Sequence, residues 1–233
     1  MVASLIQHAE FLFQNHETRS SNLVTTEMSG FEAVAVAFPE ALRSSPWFKE
    51  SFSAQSAEAL SVAYLVGVQT EQTTTYHMVT LQDLAGFQDL AEKAGRGSGI
   101  PKDFVQVVDG MRNYIALSAD GTCHSPMNSD ASLSDVSSFI LNAANTRNRK
   151  DWLYAATRGK EGTPPSQKGQ PGGIGIDVSS GCVVFPWSGQ LVMRSDSAHG
   201  DFHPPRPSHR PERSPAKTSK KPTAPGPLRA HED

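Results

Sequence analysis

The last 31 residues of this chain cannot build a hydrophobic core. Between His203 and Asp233 lie eight prolines, and Leu228 is the one large aliphatic or aromatic residue after His203. Such a segment buries too little apolar surface to offset the entropy lost on ordering. We therefore expect a disordered, basic, proline-rich arm over 203–233 and a single α+β globular domain over 1–202, with a flexible loop at about 161–173.

The arm also carries most of the charge asymmetry. It holds seven lysines or arginines against three acids, so its net charge is +4 in a chain of net charge -3, which leaves -7 for the rest. Cations on a flexible arm suit sequence-independent attraction to a polyanion, because counterion release depends on charge alone. The alternatives are an ordinary solubilising tail and a polyproline ligand for a partner domain. The seven candidate nucleic-acid-binding cations are Arg206, Arg210, Arg213, Lys217, Lys220, Lys221 and Arg229.

A second group of cations lies inside the predicted domain, beside two amphipathic aromatic residues, Trp152 and Tyr154. Cations for phosphates combined with flat rings for stacking are typical of nucleic-acid contacts. The competing interpretation is a solvated helix face whose Trp152 and Leu153 belong to the core. The candidate residues are Arg147, Arg149, Lys150, Arg158 and Lys160.

Hydrophobic periodicity predicts a helical N-terminal part. Apolar residues recur at helical spacing from Leu5 to Phe13, which predicts a helix over 3–15. A second helical pattern runs from Met28 to Phe38, and Ser45 followed by proline is a helix start signal. Further helical stripes run over 84–94 and 133–144, and a short helix is expected near Trp152.

The central part of the chain predicts hairpins packed with these helices. Residues 60–68 and 73–81 are rich in β-branched and aromatic side chains, which favours a pair of strands. Residues 104–108 and 113–118 flank Asp109-Gly110, a turn signal. One helix that begins at Pro101 is the competing interpretation there. Short C-terminal strands are expected at 174–178, 182–185 and 190–193, which completes an α+β fold class.

No known catalytic or metal motif is complete. Gly173-Ile174-Gly175 lacks the third glycine of a dinucleotide fingerprint, and Cys123-His124 are sequence neighbours, which seldom have nucleophile and base geometry. The histidines lack metal-ligand spacing. We expect no catalytic residue, no cofactor and no metal, and the absence of a long apolar run predicts no membrane span.

The layout resembles the proline-alanine-serine-rich proteins of polymycoviruses, double-stranded RNA viruses of fungi. The likeness rests on composition, on the opening Leu5-Ile6-Gln7-His8-Ala9-Glu10-Phe11-Leu12-Phe13 and on the basic tail from Arg213 to Pro225. The resemblance implies a non-enzymatic protein that binds double-stranded RNA, self-associates and coats a viral genome, in a virion or ribonucleoprotein of the fungal cytoplasm. The alternatives are a protein-interaction module, such as an effector or adaptor, and an enzyme of unrecognised type.

Overall fold

The structure, a computed structural model, describes residues 2–19, 22–64, 67–165, 182–194 and 202–203. In these ranges the chain is mainly helical and ends in a small antiparallel sheet of strand order β1-β2-β3. The elements are α1 (Val2–Asn15), α2 (Asn22–Ala37), α3 (Ser44–Val62), α4 (Thr74–Lys93), α5 (Lys102–Ser118), α6 (Ser137–Thr146), α7 (Lys150–Ala156), β1 (Cys182–Phe185), β2 (Gln190–Arg194) and β3 (Phe202–His203).

Two apolar clusters hold the helices together. The smaller cluster joins α1, α2 and the start of α3, and the fully buried rings of Phe31 and Trp47 lie 6.2 Å apart in it. The larger cluster joins the end of α3 to α4, α5, α6 and α7. The sheet belongs to the larger cluster, because Val183, Phe185 and Val192 are buried there. The strands are therefore fixed against the helices, and α5 lies in the middle of this packing.

The predicted hairpin over 60–68 and 73–81 is wrong. Residues 60–62 end α3, and Thr74 to Leu81 form the first two turns of α4. Thr73 caps α4, because its side chain accepts a hydrogen bond from the backbone N–H of Tyr76 at 3.3 Å. The buried positions of α4 recur at helical spacing through His77, Leu81 and Leu84. The threonines, which favour strands on average, here serve as a cap and as buried helix positions.

The second predicted hairpin is also wrong, and the alternative of one helix from Pro101 is confirmed. Pro101 precedes α5, which runs through Asp109-Gly110 without a turn. The backbone of Gly110 is in close contact with the backbone of Gly67. Gly67, with φ of +81°, lies so near α5 that a Cβ atom there would collide with the carbonyl group of Gly110.

Several other expectations are confirmed, with shifted boundaries. The helices α1, α2, the second half of α4 and α7 lie where periodicity predicted helix, and β1 and β2 match two predicted strands. The helix start predicted at Ser45 is confirmed within one residue, but Ser45 is not the N-cap, because α3 already begins at Ser44. The helix predicted over 133–144 begins only at Ser137, since Asp135 pairs with His124 in an isolated β-bridge.

Some predicted segments lie outside the described residues. These are the strand at 174–178, the loop beyond residue 165 and all of the arm except His203. In the described part, no helix has both the length and the apolar character needed to cross a bilayer. The division into a domain over 1–202 and an arm over 203–233 stays a prediction.

Candidate functional site

Two distant parts of the chain meet at the first turn of α4. The side-chain oxygen of Asn128 accepts a hydrogen bond from the backbone N–H of Thr74 at 3.1 Å, and its NH2 group donates to the carbonyl of Gln72 at 2.5 Å. The hydroxyl of Thr74 donates to the carbonyl of Pro126 at 2.6 Å. The loop between α5 and α6 is therefore fixed to the start of α4 by one side chain from each partner.

The phenol of Tyr114 connects this contact to the sheet. Its hydroxyl donates to the side-chain oxygen of Gln190 on β2 at 2.8 Å, and the side chain of Asn128 lies close to it. Burial raises the pKa of Tyr114 to about 12, so this phenol keeps its proton. One hydroxyl group thus joins α5, the α5–α6 loop and β2.

The buried side chain of His77 fixes α4 to the segment before it and to α5. Its Nδ1 accepts a hydrogen bond from the backbone N–H of Gln69 at 3.3 Å, and its Nε2–H donates to the carbonyl of Met111 at 3.1 Å. The N–H of Gln69 can only donate and a carbonyl can only accept, so the ring is the neutral Nε2–H tautomer. Burial lowers the pKa of His77 to about 4, in agreement with this assignment.

Tyr76 lies between these braced positions and faces solvent. Its side chain is 36% exposed, whereas His77 and Tyr114 are each 1% exposed. The neighbouring Thr75 accepts a hydrogen bond from the backbone N–H of Ser132 at 3.0 Å, which fixes the same turn from another side. Of the three titratable rings in this cluster, Tyr76 alone can reach a bound molecule. We call this first turn of α4, with Asn128 and Gln190, the Tyr76 site.

The Cys123-His124 pair does not form a nucleophile and a base. The thiol of Cys123 is buried and donates to the carbonyl of Ala155 at 3.3 Å, and burial raises its pKa. The Nδ1 of His124 lies 2.8 Å from the hydroxyl of Thr122, which itself donates to Asp120 at 2.7 Å. These contacts shape the start of the α5–α6 loop. In the part of the chain that the structure describes, no group of side chains could hold a metal ion.

The cation group of the domain is largely engaged in internal contacts. Arg147 forms ion pairs with Asp89 at 2.9 Å and Glu92 at 2.8 Å. Arg149 pairs with Asp151 at 2.6 Å and stacks over Trp152, with 4.2 Å from guanidinium carbon to ring centre. The nearby acids therefore neutralise two of the five cations.

The other candidate cations take no part in the hydrogen bonds of the Tyr76 site. Arg158 donates to the carbonyl of Thr122 at 3.0 Å, while Lys150 and Lys160 are exposed. Trp152 is only 1% exposed, as the competing core interpretation required. The seven tail cations, Arg206, Arg210, Arg213, Lys217, Lys220, Lys221 and Arg229, lie outside the described residues.

Asn113 holds this cation group in place, which gives a stability prediction. Its side-chain oxygen accepts from the indole N–H of Trp152 at 2.6 Å and from Arg149 at 2.9 Å. Asn113→Ala leaves the buried indole N–H without this acceptor and is expected to lower the free energy of unfolding by about 1–3 kcal/mol. Urea unfolding measures it, with the exposed Asn145→Ala as control. Equal losses for the two variants would contradict the role of this contact.

Comparison with known proteins assigns the chain to a protein family. The sequence profile of the family described as Heparinase II/III N-terminus matches residues 1–152, so the chain belongs to this family. Comparison with curated protein sequences gives no match.

Solved structures share the fold at low identity. A heparan sulfate lyase from Pedobacter heparinus superposes with a TM-score of 0.68 at 21% identity over 86% of this chain and 30% of that chain. A heparinase III superposes with a TM-score of 0.71 at 16% identity over 84% and 30%. A second heparinase III gives a TM-score of 0.69 at 20% identity over 84% and 29%. This chain thus spans about 30% of the length of these enzymes.

The family assignment overturns the viral interpretation. The resemblance to polymycovirus proteins is wrong, because the matched family and the solved structures are heparinases and heparan sulfate lyases. The double-stranded RNA partner, the coat function with its self-association, and the virion or cytoplasmic ribonucleoprotein location are corrected with it. The expected non-enzymatic role and the alternative interaction module are replaced by a relationship to lyases.

Sequence reasoning missed every residue of the Tyr76 site. Tyr76 lay in a predicted strand, and Asn128 and Gln190 carried no motif. A usable signal was present, since three consecutive threonines before an apolar helical stripe are compatible with an N-cap. The contacts themselves join residues 54 and 76 positions apart, at Thr74–Asn128 and Tyr114–Gln190, which no local pattern records.

Proposed function

We propose that this chain forms the helical part of a lyase that binds and cleaves an acidic polysaccharide of the heparan sulfate class. Three findings support this proposal: the family match over residues 1–152, the superposition on lyases, and the solvent-facing Tyr76 on a braced helix start. The assignment of the site rests on the third finding, because Tyr76 is a reactive group that a rigid helix start holds at the surface.

The chemistry of a lyase explains why such a group matters. Elimination removes a proton from the carbon beside the carboxylate of a uronic acid. A carbon–carbon double bond forms, the bond to the glycosidic oxygen breaks, and that oxygen takes up a proton. The protein must therefore supply groups that accept and donate protons within hydrogen-bond reach of the sugar. A phenol can do either.

The residues around Tyr76 are suited to hold it in position. His77 is neutral and uses both ring nitrogens, so it fixes the helix and leaves proton transfer to its neighbour. The side chain of Asn128 holds the backbone N–H of Thr74, and the side chain of Thr73 holds that of Tyr76. A reacting phenol gains from such preorganisation, since small displacements are costly in catalysis.

The test is cleavage of heparan sulfate by the full chain, followed through the ultraviolet absorbance of the unsaturated product. We expect Tyr76→Phe to lower the rate about 100-fold, because it removes the proton-transferring hydroxyl and keeps the ring. Tyr154→Phe, on α7, is the control and should leave the rate unchanged. Failure of the wild-type chain to bind heparan sulfate contradicts the substrate class. An active Tyr76→Phe variant contradicts the role of Tyr76.

A further inference from the structure

The turn between β1 and β2 presents an indole to solvent. Trp187 is 54% exposed, whereas Trp47 and Trp152 are each 1% exposed. These are all three tryptophans of the chain, and all lie in described ranges, so Trp187 is its one surface tryptophan. A tryptophan side chain gains a large amount from burial, and an exposed one is a common feature of binding surfaces.

The turn that carries Trp187 is stiff. The hydroxyl of Ser188 donates to the carbonyl of Phe185 at 3.1 Å, and the N–H of Gly189 donates to the carbonyl of Pro186 at 3.2 Å. Gly189 has φ of +67°, a left-handed conformation that glycine adopts without strain. A rigid support lowers the entropy cost of binding, and an indole has only two rotatable bonds to fix.

The turn is also fixed beside the Tyr76 site. Phe185 is fully buried, its ring centre lies 5.0 Å from that of Tyr114 in an edge-to-face arrangement, and Gln190 accepts the hydrogen bond of the Tyr114 hydroxyl. The same hydroxyl contacts Asn128. Trp187 lies three residues before Gln190, within about 11 Å along the chain. Trp187 therefore belongs to the hairpin that contributes Gln190 to the Tyr76 site, and a chain molecule that extends from Gln190 along this hairpin meets the indole.

We propose that Trp187 stacks on a sugar ring of the polysaccharide bound at the Tyr76 site. One face of a pyranose ring presents C–H groups, which are apolar and carry a slight positive charge, and the face of an indole is flat, apolar and slightly negative. The stacking residue thus recognises the sugar ring itself, whereas sulfates and carboxylates need other partners. This inference rests on the proposed function.

Fluorescence provides a direct test with the unmodified protein. Acrylamide reaches Trp187 and is excluded from the two buried tryptophans, so quenching of the tryptophan emission reports on Trp187. A heparan sulfate oligosaccharide is expected to protect the emission from acrylamide. Polyphosphate, a polyanion without sugar rings, is expected to leave quenching unchanged. Equal protection by polyphosphate overturns the stacking proposal.

Substitutions test the same contact through affinity, measured by calorimetry with the oligosaccharide. Trp187→Ala should weaken binding about tenfold, and Trp187→Phe should retain most of the affinity. Met193→Ala is the matched control, because it removes another exposed apolar side chain, 50% exposed, from the same hairpin. Its affinity should equal that of the wild type.

The outcomes separate the two proposals. Wild-type binding with unchanged quenching and an unaffected Trp187→Ala variant overturns the role of Trp187 and leaves the proposed function standing. A wild-type chain that does not bind the oligosaccharide overturns the proposed function, and the stacking role with it. Protection of the indole together with a selective loss in Trp187→Ala supports both.

Discussion

Gly67→Ala is expected to lower the free energy of unfolding by more than about 4 kcal/mol, or to prevent folding altogether. The added Cβ atom would meet the carbonyl carbon and oxygen of Gly110 and the backbone nitrogen of Met111. These are main-chain atoms of a helix, which cannot rotate away as a side chain can. The φ of +81° adds strain for any residue other than glycine.

The variant should also disturb the Tyr76 site. Moving α5 away from Gly67 displaces the carbonyl of Met111, which accepts the hydrogen bond of His77. Gly86→Ala is the matched control, because Gly86 lies in α4 with no heavy atom within 4 Å of an added Cβ. It should raise stability by about 0.5–1 kcal/mol, as alanine favours helix. Urea unfolding measures the stability of both variants. A decrease in the free energy of unfolding of less than about 1 kcal/mol for Gly67→Ala would falsify the packing argument.

Glu32 makes stability depend on pH. Its side chain is fully buried in α2, and neither carboxyl oxygen has a hydrogen-bond partner among the described residues. Burial raises the pKa of Glu32 from 4.5 to about 8, against an opposing effect of Arg96. The folded chain therefore keeps a proton that the unfolded chain releases, so stability falls as the pH rises from about 4.5 to about 8.

His77 has the opposite effect in part of that range. Its pKa is lowered from 6.5 to about 4, so the unfolded chain binds the extra proton and stability rises with pH between these values. The two effects oppose each other below pH 6.5 and Glu32 acts without this opposition between pH 6.5 and 8. In that upper window we expect a loss of about 1.4 kcal/mol per pH unit.

Glu32→Gln separates these contributions. The amide cannot ionise, so the variant should keep a constant stability from pH 6.5 to 8 while the wild type loses stability. Below pH 6.5 the variant should show the rise that His77 produces. Urea unfolding at closely spaced pH values measures both curves. Parallel curves for the two proteins between pH 6.5 and 8 would show that Glu32 does not titrate in this range.

The sequence predicted the elements whose burial pattern is local. α1, α2 and the second half of α4 show apolar residues at helical spacing, and β1 and β2 lie in a stretch of β-branched residues. The centre of the chain was not predictable in this way. Thr74 and Thr75 favour strands by propensity, but their roles depend on contacts with Asn128, Pro126 and Ser132 more than 50 residues away.

The charge pattern led to a wrong prediction for the same reason, which is that the deciding contacts are distant in sequence. Arg147 stands out along the sequence because its acidic partners, Asp89 and Glu92, lie 58 and 55 residues earlier. Asp109-Gly110 predicted a turn because glycine allows one, whereas here Gly110 continues α5 and its carbonyl group lies against Gly67. Patterns along the chain report which residues are present, and only the fold decides which of them neutralise or accommodate one another.

The supports of Tyr76 consist largely of main-chain atoms. His77 bonds to the backbone of Gln69 and Met111, Thr74 to that of Pro126, and Asn128 to that of Gln72 and Thr74. Peptide groups are present whatever side chain a position carries, so these hydrogen bonds use the backbone of Gln69, Met111 and Pro126 and not their side chains. The position of Tyr76 therefore depends on the path of the backbone around it more than on the chemistry of the side chains that surround it.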